Sequence, residues 1–349
     1  MQNKPESVQR DICALLEQRG QAYVNLGQYE KARFEFQGAL TAARAIRDTH
    51  RECALLIELG NCEFLIPQGT DKAREWYHTA LNLYQAAGLN HPLFKARLLV
   101  NLGHLEIREG RIDQAEQSYE AAVLVGREVD AKLIYRRSLE GKAVIAAIRE
   151  DWQAGVTYLL EAITVVAVPL MDNFSVWDNL GYCYIHLGQH EAAERELSQM
   201  VALAGSSEAK EYKARALFKL GLNAELQSNS TEALTYYQSS STAQETPEVL
   251  IALARLYQIE NQPLSLLLAQ QGQILLEQEP FSPLTDYTLE WTTLLRIRES
   301  AAVDGANRWI MEVLKCLPPS FPFWKSLARR NLLRMVKSFE TAMPKTEIR

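Results

Sequence analysis

Small and large apolar residues recur along this chain in a fixed order. The order is clearest near the N-terminus, where Gly20 is followed by Tyr23, then by Leu26-Gly27, then by Ala32, Phe36 and Ala39. The last three stand at i, i+4 and i+7, which is one face of a helix. Leu26-Gly27-Gln28 interrupts the pattern before them, and glycine can adopt the left-handed conformation that closes a helix. The segment therefore predicts a first helix, a tight turn and a second helix. Small residues mark where the two helices approach closely, and large ones fill the space beside them.

Five further segments follow the same order. Their central glycines are Gly60, Gly103, Gly141, Gly181 and Gly221, at steps of 40, 43, 38, 40 and 40 residues counted from Gly20. The fifth segment has Trp177, Leu180, Gly181 and Tyr184, then Leu187-Gly188, then Ala193, Leu197 and Met200. The third has Leu102, Gly103, Gly110, Ala115, Tyr119 and Ala122; the sixth has Leu220, Gly221, Ala233 and Tyr237, with Ser240 in the last small position. The second has Gly60, Ala73, Tyr77 and Ala80, with one extra residue in its turn. The fourth reads as Gly141, Ala154, Tyr158 and Ala162, also with one residue extra. Self-similarity at this period signals a stacked array in which each helix pair packs on its neighbours and one core runs along the stack.

The expected architecture is all-α, a right-handed solenoid of antiparallel helix pairs. Residues 1–245 carry six pairs, 246–280 a degenerate seventh with Leu250, Leu253, Ala254 and Tyr257, and 281–349 a C-terminal helical cap. Pro280, Pro283, Pro318, Pro319 and Pro322 punctuate the cap into helical stretches near 284–299, 303–317 and 323–341. The last of these is amphipathic, with Lys325, Arg329, Arg330, Arg334 and Lys337 on its polar side. It reads as a cover for the apolar end of the stack. Docking to an acidic partner or an anionic membrane surface is the alternative.

Composition narrows the function classes. Hydrophobic residues make up 47% and charged residues 23% of the 349, which fits a folded protein and excludes wholesale disorder. The net charge of −6 gives no support to nucleic-acid binding. Five scattered cysteines, Cys13, Cys53, Cys62, Cys183 and Cys316, form no CxxC pair and read as small buried residues in a reducing compartment. The polar N-terminus lacks the apolar core of a signal peptide, and no long uncharged apolar run occurs, so the expected location is the cytoplasm.

The glycine, leucine and aromatic series resembles the tetratricopeptide repeat over about residues 6–245. The spacing near 40 departs from that family's usual 34 and is similar to the longer repeats of kinesin light chains, Leu-Gly-Asn-type adaptors and the sensor domain of the maltose-regulon activator. In that family the first helices line a concave face. The resemblance therefore implies that first-helix positions opposite the packing residues point into a groove. In the third segment these are Arg97, Asn101, His104 and Arg108; in the fourth, Arg136 and Lys142; in the fifth, Asp178, Asn179, Tyr182 and His186; in the sixth, Arg215 and Lys219. The first two segments add Glu17, Gln21, Asn25, Glu58 and Asn61. The middle of the groove is thus basic and amide-rich on an acidic chain. Guanidinium and ammonium groups supply charge-assisted donors to carboxylates, and asparagine can pair with an extended peptide backbone.

These readings predict a non-enzymatic scaffold or adaptor that holds an acidic peptide or partner segment, with Arg97, Asn101, His104, Arg108, Arg136, Asn179, Tyr182, Arg215 and Lys219 as its contacts. The alternative is a regulatory sensor array that binds a small effector or signalling peptide and controls a separate effector; no DNA-binding or ATPase module is read in this chain. No cofactor or metal is expected. There is no GxGxxG or GxxxxGK[ST] loop, no G-x-S-x-G elbow and no HExxH. His186 and His190 have a chelating spacing, but a turn separates them.

Overall fold

A computed structural model of the chain describes residues 6–66, 69–128, 131–165, 173–204, 210–258 and 261–278. These residues form fourteen α-helices and no strand. The expected C-terminal stretches near 284–299, 303–317 and 323–341 lie outside the described residues. The helices are α1 (Glu6–Asn25), α2 (Tyr29–Ala45), α3 (Thr49–Leu65), α4 (Thr70–Ala86), α5 (Pro92–Arg108), α6 (Ile112–Glu128) and α7 (Lys132–Ile148). They continue with α8 (Trp152–Thr164), α9 (Phe174–His186), α10 (His190–Leu203), α11 (Lys210–Leu226), α12 (Ser230–Ala243), α13 (Pro247–Tyr257) and α14 (Gln262–Gln278).

The chain divides into two compact units: one contains α1 to α6 and most of α7, the other α9 to α14, and α8 is shared between them. In the first unit α1 packs on α2, α3 on α4 and α5 on α6, and α2 also packs on α3. In the second, α9 packs on α10, α11 on α12 and α13 on α14. First helices also meet one another, α3 with α5 and α9 with α11. No described helix is long and apolar enough to cross a membrane.

One contact recurs through the pairs. A ring or branched side chain of the second helix lies over the first-helix glycine, so close that a Cβ added there would fall within 3.0 Å of it. Phe36 covers Gly20, Tyr77 covers Gly60, Tyr119 covers Gly103, Leu197 covers Gly181 and Tyr237 covers Gly221. All five covering residues are fully or almost fully buried. Ala32 and Ala39, and their counterparts Ala115 and Ala122, flank the ring and are 0% exposed.

The turns keep this register. Gly27, Gly110 and Gly188 have φ of 68°, 74° and 68°, and Glu150 and Ser228 take the same left-handed conformation at 61° and 63°. After each, the next amide reaches back five residues to close the helix, as from Gln28 to Tyr23 at 2.9 Å and from Asp151 to Ala146 at 2.9 Å. In the repeats of Gly20, Gly103, Gly181 and Gly221 the left-handed residue lies seven positions after the covered glycine. Glu150 therefore marks Ala143, not Gly141, as the small residue of the fourth repeat. Gly155, Leu159 and Ala162 follow in the places of Ala32, Phe36 and Ala39, and all three are buried. This corrects the expected Ala154–Tyr158–Ala162 series: Ala154 and Tyr158 are only half-buried. The repeat carries no extra residue, and its anchors run from Gly103 to Ala143 to Gly181 in steps of 40 and 38.

Gly60→Ala tests the close approach. Without a steric conflict, alanine would stabilise α3 by about 1 kcal/mol through helix propensity. The Tyr77 ring makes the change destabilising instead, by about 1–3 kcal/mol, read as a lower urea midpoint with an unchanged slope.

Candidate functional site

In the first unit, the first-helix face is built from α3, α5 and α7. Glu58 pairs with Arg97 across the repeat boundary. Asn101 Nδ2 donates to Asn61 Oδ1 at 2.8 Å, and the Tyr77 hydroxyl donates to the same oxygen at 2.8 Å. Arg108 donates to the Phe64 carbonyl and lies 3.7 Å over the Phe64 ring. Burial holds the Arg108 pKa below its ordinary value. His104 packs edge-on to the Tyr119 ring at 5.6 Å. Its pKa falls to about 4, first through burial and then through the charges of Arg137 and Arg108.

In the second unit the same face is built from α9 and α11, with the first residue of α8 against it. Asp178 is fully buried and binds two cations from the following first helix. Lys219 Nζ lies 2.5 Å from its Oδ1 and 3.1 Å from its carbonyl oxygen, and Arg215 holds the other carboxylate oxygen. Burial raises the Asp178 pKa, but Lys219 and Arg215 outweigh it and hold the carboxyl below its ordinary range. Lys219 also sits 5.2 Å from the centre of the Tyr182 ring. Trp152 stacks on His186 at 4.0 Å and meets Tyr182 edge-on at 5.8 Å. His190, at the corresponding place in the next pair, bonds Asn223 of α11 at 2.8 Å. First residues of second helices thus clamp the next first helix. His186 and His190 have separate partners, and no group able to hold a metal ion occurs among the described residues.

The sequence-derived contacts fall into three groups. Arg97, Asn101, Arg108, Tyr182, Arg215 and Lys219 lie on these faces, but each already bonds or stacks on a neighbouring element, so part of the expected basic groove is a set of links between repeats. Asn179 and His104 lie on the faces half-buried, and among the described residues neither makes a hydrogen bond. Arg136 lies elsewhere. Only 2% exposed and paired with Glu140 at 3.0 Å, it occupies the interior place that Cys13, Cys53, Ala96, Phe174 and Ala214 fill in the other repeats. Lys142 is drawn to Glu120 of α6 at 3.5 Å.

The frame set by Glu150 shows what was missed. Arg137, not Arg136, stands where Arg97 stands, Gly141 where Asn101 stands, and Val144 where His104 stands. Arg137 is exposed, and among the described residues it has no bonding partner. The signal was present in the spacing. Ala154, Tyr158 and Ala162 stand at i, i+4 and i+8, whereas Gly155, Leu159 and Ala162 keep the i, i+4, i+7 order of the other repeats.

Three segments, residues 14–46, 96–125 and 174–205, match the family described as Tetratricopeptide repeat. Among solved structures, the apo form of the quorum sensor NprR from B. thuringiensis is similar in fold. Its TM-score is 0.66 at 13% identity, over 90% of this chain and 88% of that one. NprR in complex with its cognate peptide NprX gives a TM-score of 0.59 at 13% identity, over 90% and 94%. The apo form of RapI gives 0.56 at 11% identity, over 94% and 89%. Among curated proteins, none matches the sequence.

Two outcomes follow from this geometry. Lys219→Ala leaves the buried Asp178 charge with Arg215 alone and lowers unfolding free energy by about 3 kcal/mol; chemical denaturation measures it, and a loss below the effect of Arg215→Ala contradicts it. His104 takes up a proton near 6.5 in the unfolded chain but only near 4 in the folded one. Folding stability therefore falls as pH drops through that interval. His104→Gln should flatten that part of the stability–pH curve, and a wild-type imidazole titrating above 6 by NMR would contradict the account.

Proposed function

Since this chain is built from tetratricopeptide repeats, we propose that it is a non-enzymatic interaction protein that holds a peptide or an extended partner segment along its first-helix faces, as a scaffold or adaptor. The observation that carries this reading is the supply of polar groups there with no internal use. Arg137 is exposed and unpaired, and Asn179 and His104 are half-buried with no hydrogen bond among the described residues. The neighbouring groups are tied down by Glu58, Asn61 and Asp178, so the face is pre-organised and loses little entropy on binding. The partner is acidic. On the first unit's face Glu58 offsets Arg97, which leaves the charges of Arg108 and Arg137 in excess on a chain whose net charge is −6. The similar fold of NprR is known with its cognate peptide bound, which supports a peptide as the kind of ligand.

A second reading, a regulatory sensor array controlling a separate effector in the cytoplasm, is favoured by one finding, the likeness to a quorum sensor over 90% of this chain. The two readings differ in what the ligand does. A sensor changes its radius of gyration in X-ray scattering when the ligand binds, whereas a scaffold keeps it.

Fluorescence polarisation with pools of end-blocked nonapeptides tests the proposal. Acidic pools should bind the protein, and affinity should fall as salt rises, because exposed charges are screened. Equal binding of acidic and basic pools would overturn the acidic assignment, and no binding of any pool would overturn the peptide reading.

A further inference from the structure

Repeats two and three of the first unit carry the same polar chain up to one point, where it breaks. In repeat two the Tyr77 hydroxyl reaches the first-helix face, donates to Asn61 Oδ1, and Asn101 of the next first helix closes the chain on that same oxygen. In repeat three the corresponding residues are Tyr119, His104 and Gly141. Tyr119 is 0% exposed, and its hydroxyl has no partner among the described residues. The ring carbon that bears this hydroxyl is among the nearest atoms to the place a Cβ would take on both Gly103 and Gly141, so the hydroxyl end lies between α5 and α7. His104 lies against the same ring. Gly141 brings no carboxamide to close the chain, and the guanidinium of Arg137, one turn before it on α7, is exposed and unpaired.

A buried hydroxyl without a partner costs about 1–3 kcal/mol in desolvation, so the break has a cost in the free protein. One carboxylate is near, Glu106. Burial, and after it the Glu106 charge, raise the Tyr119 pKa, but Glu106 accepts from the Ser118 hydroxyl at 2.8 Å and takes no bond from Tyr119. The other groups around the hydroxyl are donors or can be: an N–H of the neutral His104 ring and the guanidiniums of Arg137 and Arg108. What would complete them is an acceptor bearing negative charge, placed where repeat two has the carboxamide of Asn101.

We infer that Tyr119, His104 and Arg137 form a subsite, beside Gly141 on α7, that takes the side-chain carboxylate of one acidic residue of the bound segment. This rests on the proposed peptide-binding reading and gives it a point of register. The carboxylate accepts from Arg137 at the surface and from His104 or Tyr119 beneath. The missing Cβ of Gly141 is what admits the Tyr119 ring between α5 and α7, since a Cβ there would fall 2.3 Å from the ring carbon that bears the hydroxyl.

The test compares two end-blocked nonapeptide pools that differ only at the central residue, fixed as Asp in one and Asn in the other, with all other positions degenerate. Binding is read by fluorescence polarisation against the wild-type chain and against Arg137→Ala and Tyr119→Phe. The Asp pool should bind wild type about tenfold more tightly than the Asn pool, as one charge-assisted pair implies. Arg137→Ala should abolish that preference while both pools still bind. Tyr119→Phe should weaken the Asp pool yet leave the thermal midpoint unchanged or raised, because it removes an unpaired buried hydroxyl; a merely structural tyrosine would lose stability and leave the preference intact. Equal affinity of the two pools for wild type, or a preference that survives Arg137→Ala, overturns the subsite while leaving peptide binding in place. No binding of either pool overturns both.

Discussion

The contact on which the rest depends is a second-helix side chain pressed into the space left by a missing first-helix Cβ. Phe36, Tyr77, Tyr119, Leu197 and Tyr237 each lie over a glycine in this way. An aromatic ring buries a large apolar area, and the glycine lets the two backbones approach closely enough for the ring to be enclosed. The arrangement admits little slippage, because moving either helix by one residue would set a side chain against the ring. The contact therefore fixes, for each pair, which first-helix residues face inward and which face away. In the pairs of Gly20, Gly103, Gly181 and Gly221 a left-handed cap, seven residues downstream, holds the same register from the turn side.

Once the register is set, the polar chemistry follows from the neighbouring pair. First helices lie beside one another, and their outward positions interlock. Glu58 meets Arg97, Asn61 meets Asn101, and Asp178 meets Arg215 and Lys219. These links are partly buried, which is why the cations in them are poor ligand contacts and good braces. Asp178 is the extreme case. A fully buried carboxylate is tolerable only with both cations in place, so it ties α9 to α11 more specifically than apolar packing would. What remains for a ligand is the remainder after internal pairing: Asn179 in one unit, and His104 with Arg137 in the other.

The fold was largely legible in the sequence, because the small–large–small order survives in nearly every copy and its period is nearly constant. The site was legible only in part, for two physical reasons. In the fourth repeat Ala143 stands in the place of the covered glycines, and Gly141, two positions earlier, where the Tyr119 ring leaves no room for a Cβ, draws the frame to itself. That displacement put Arg136 on the surface and hid Arg137, whereas in the structure Arg136 is interior and Arg137 exposed. A left-handed glutamate at 150 in place of glycine removed the landmark that would have shown the error. The second reason is that helical spacing tells which residues share a face, not which of them are already paired. The neutralisation of Arg97 by Glu58, or of Lys219 by Asp178, arises between residues about forty apart and becomes visible only when the pairs are stacked.

The most direct measurement of the central claim, that the first-helix face is where a partner is held, is site-specific photo-crosslinking. A photoreactive amino acid placed at Val144, on the first-helix face of α7, is compared with one at Gln117, exposed on the second helix α6. Each protein is irradiated with the same acidic, end-blocked peptide pool. Crosslinks at 144 that disappear under excess unlabelled peptide, with none at 117, are the predicted result. Equal or greater capture at 117 would contradict the account.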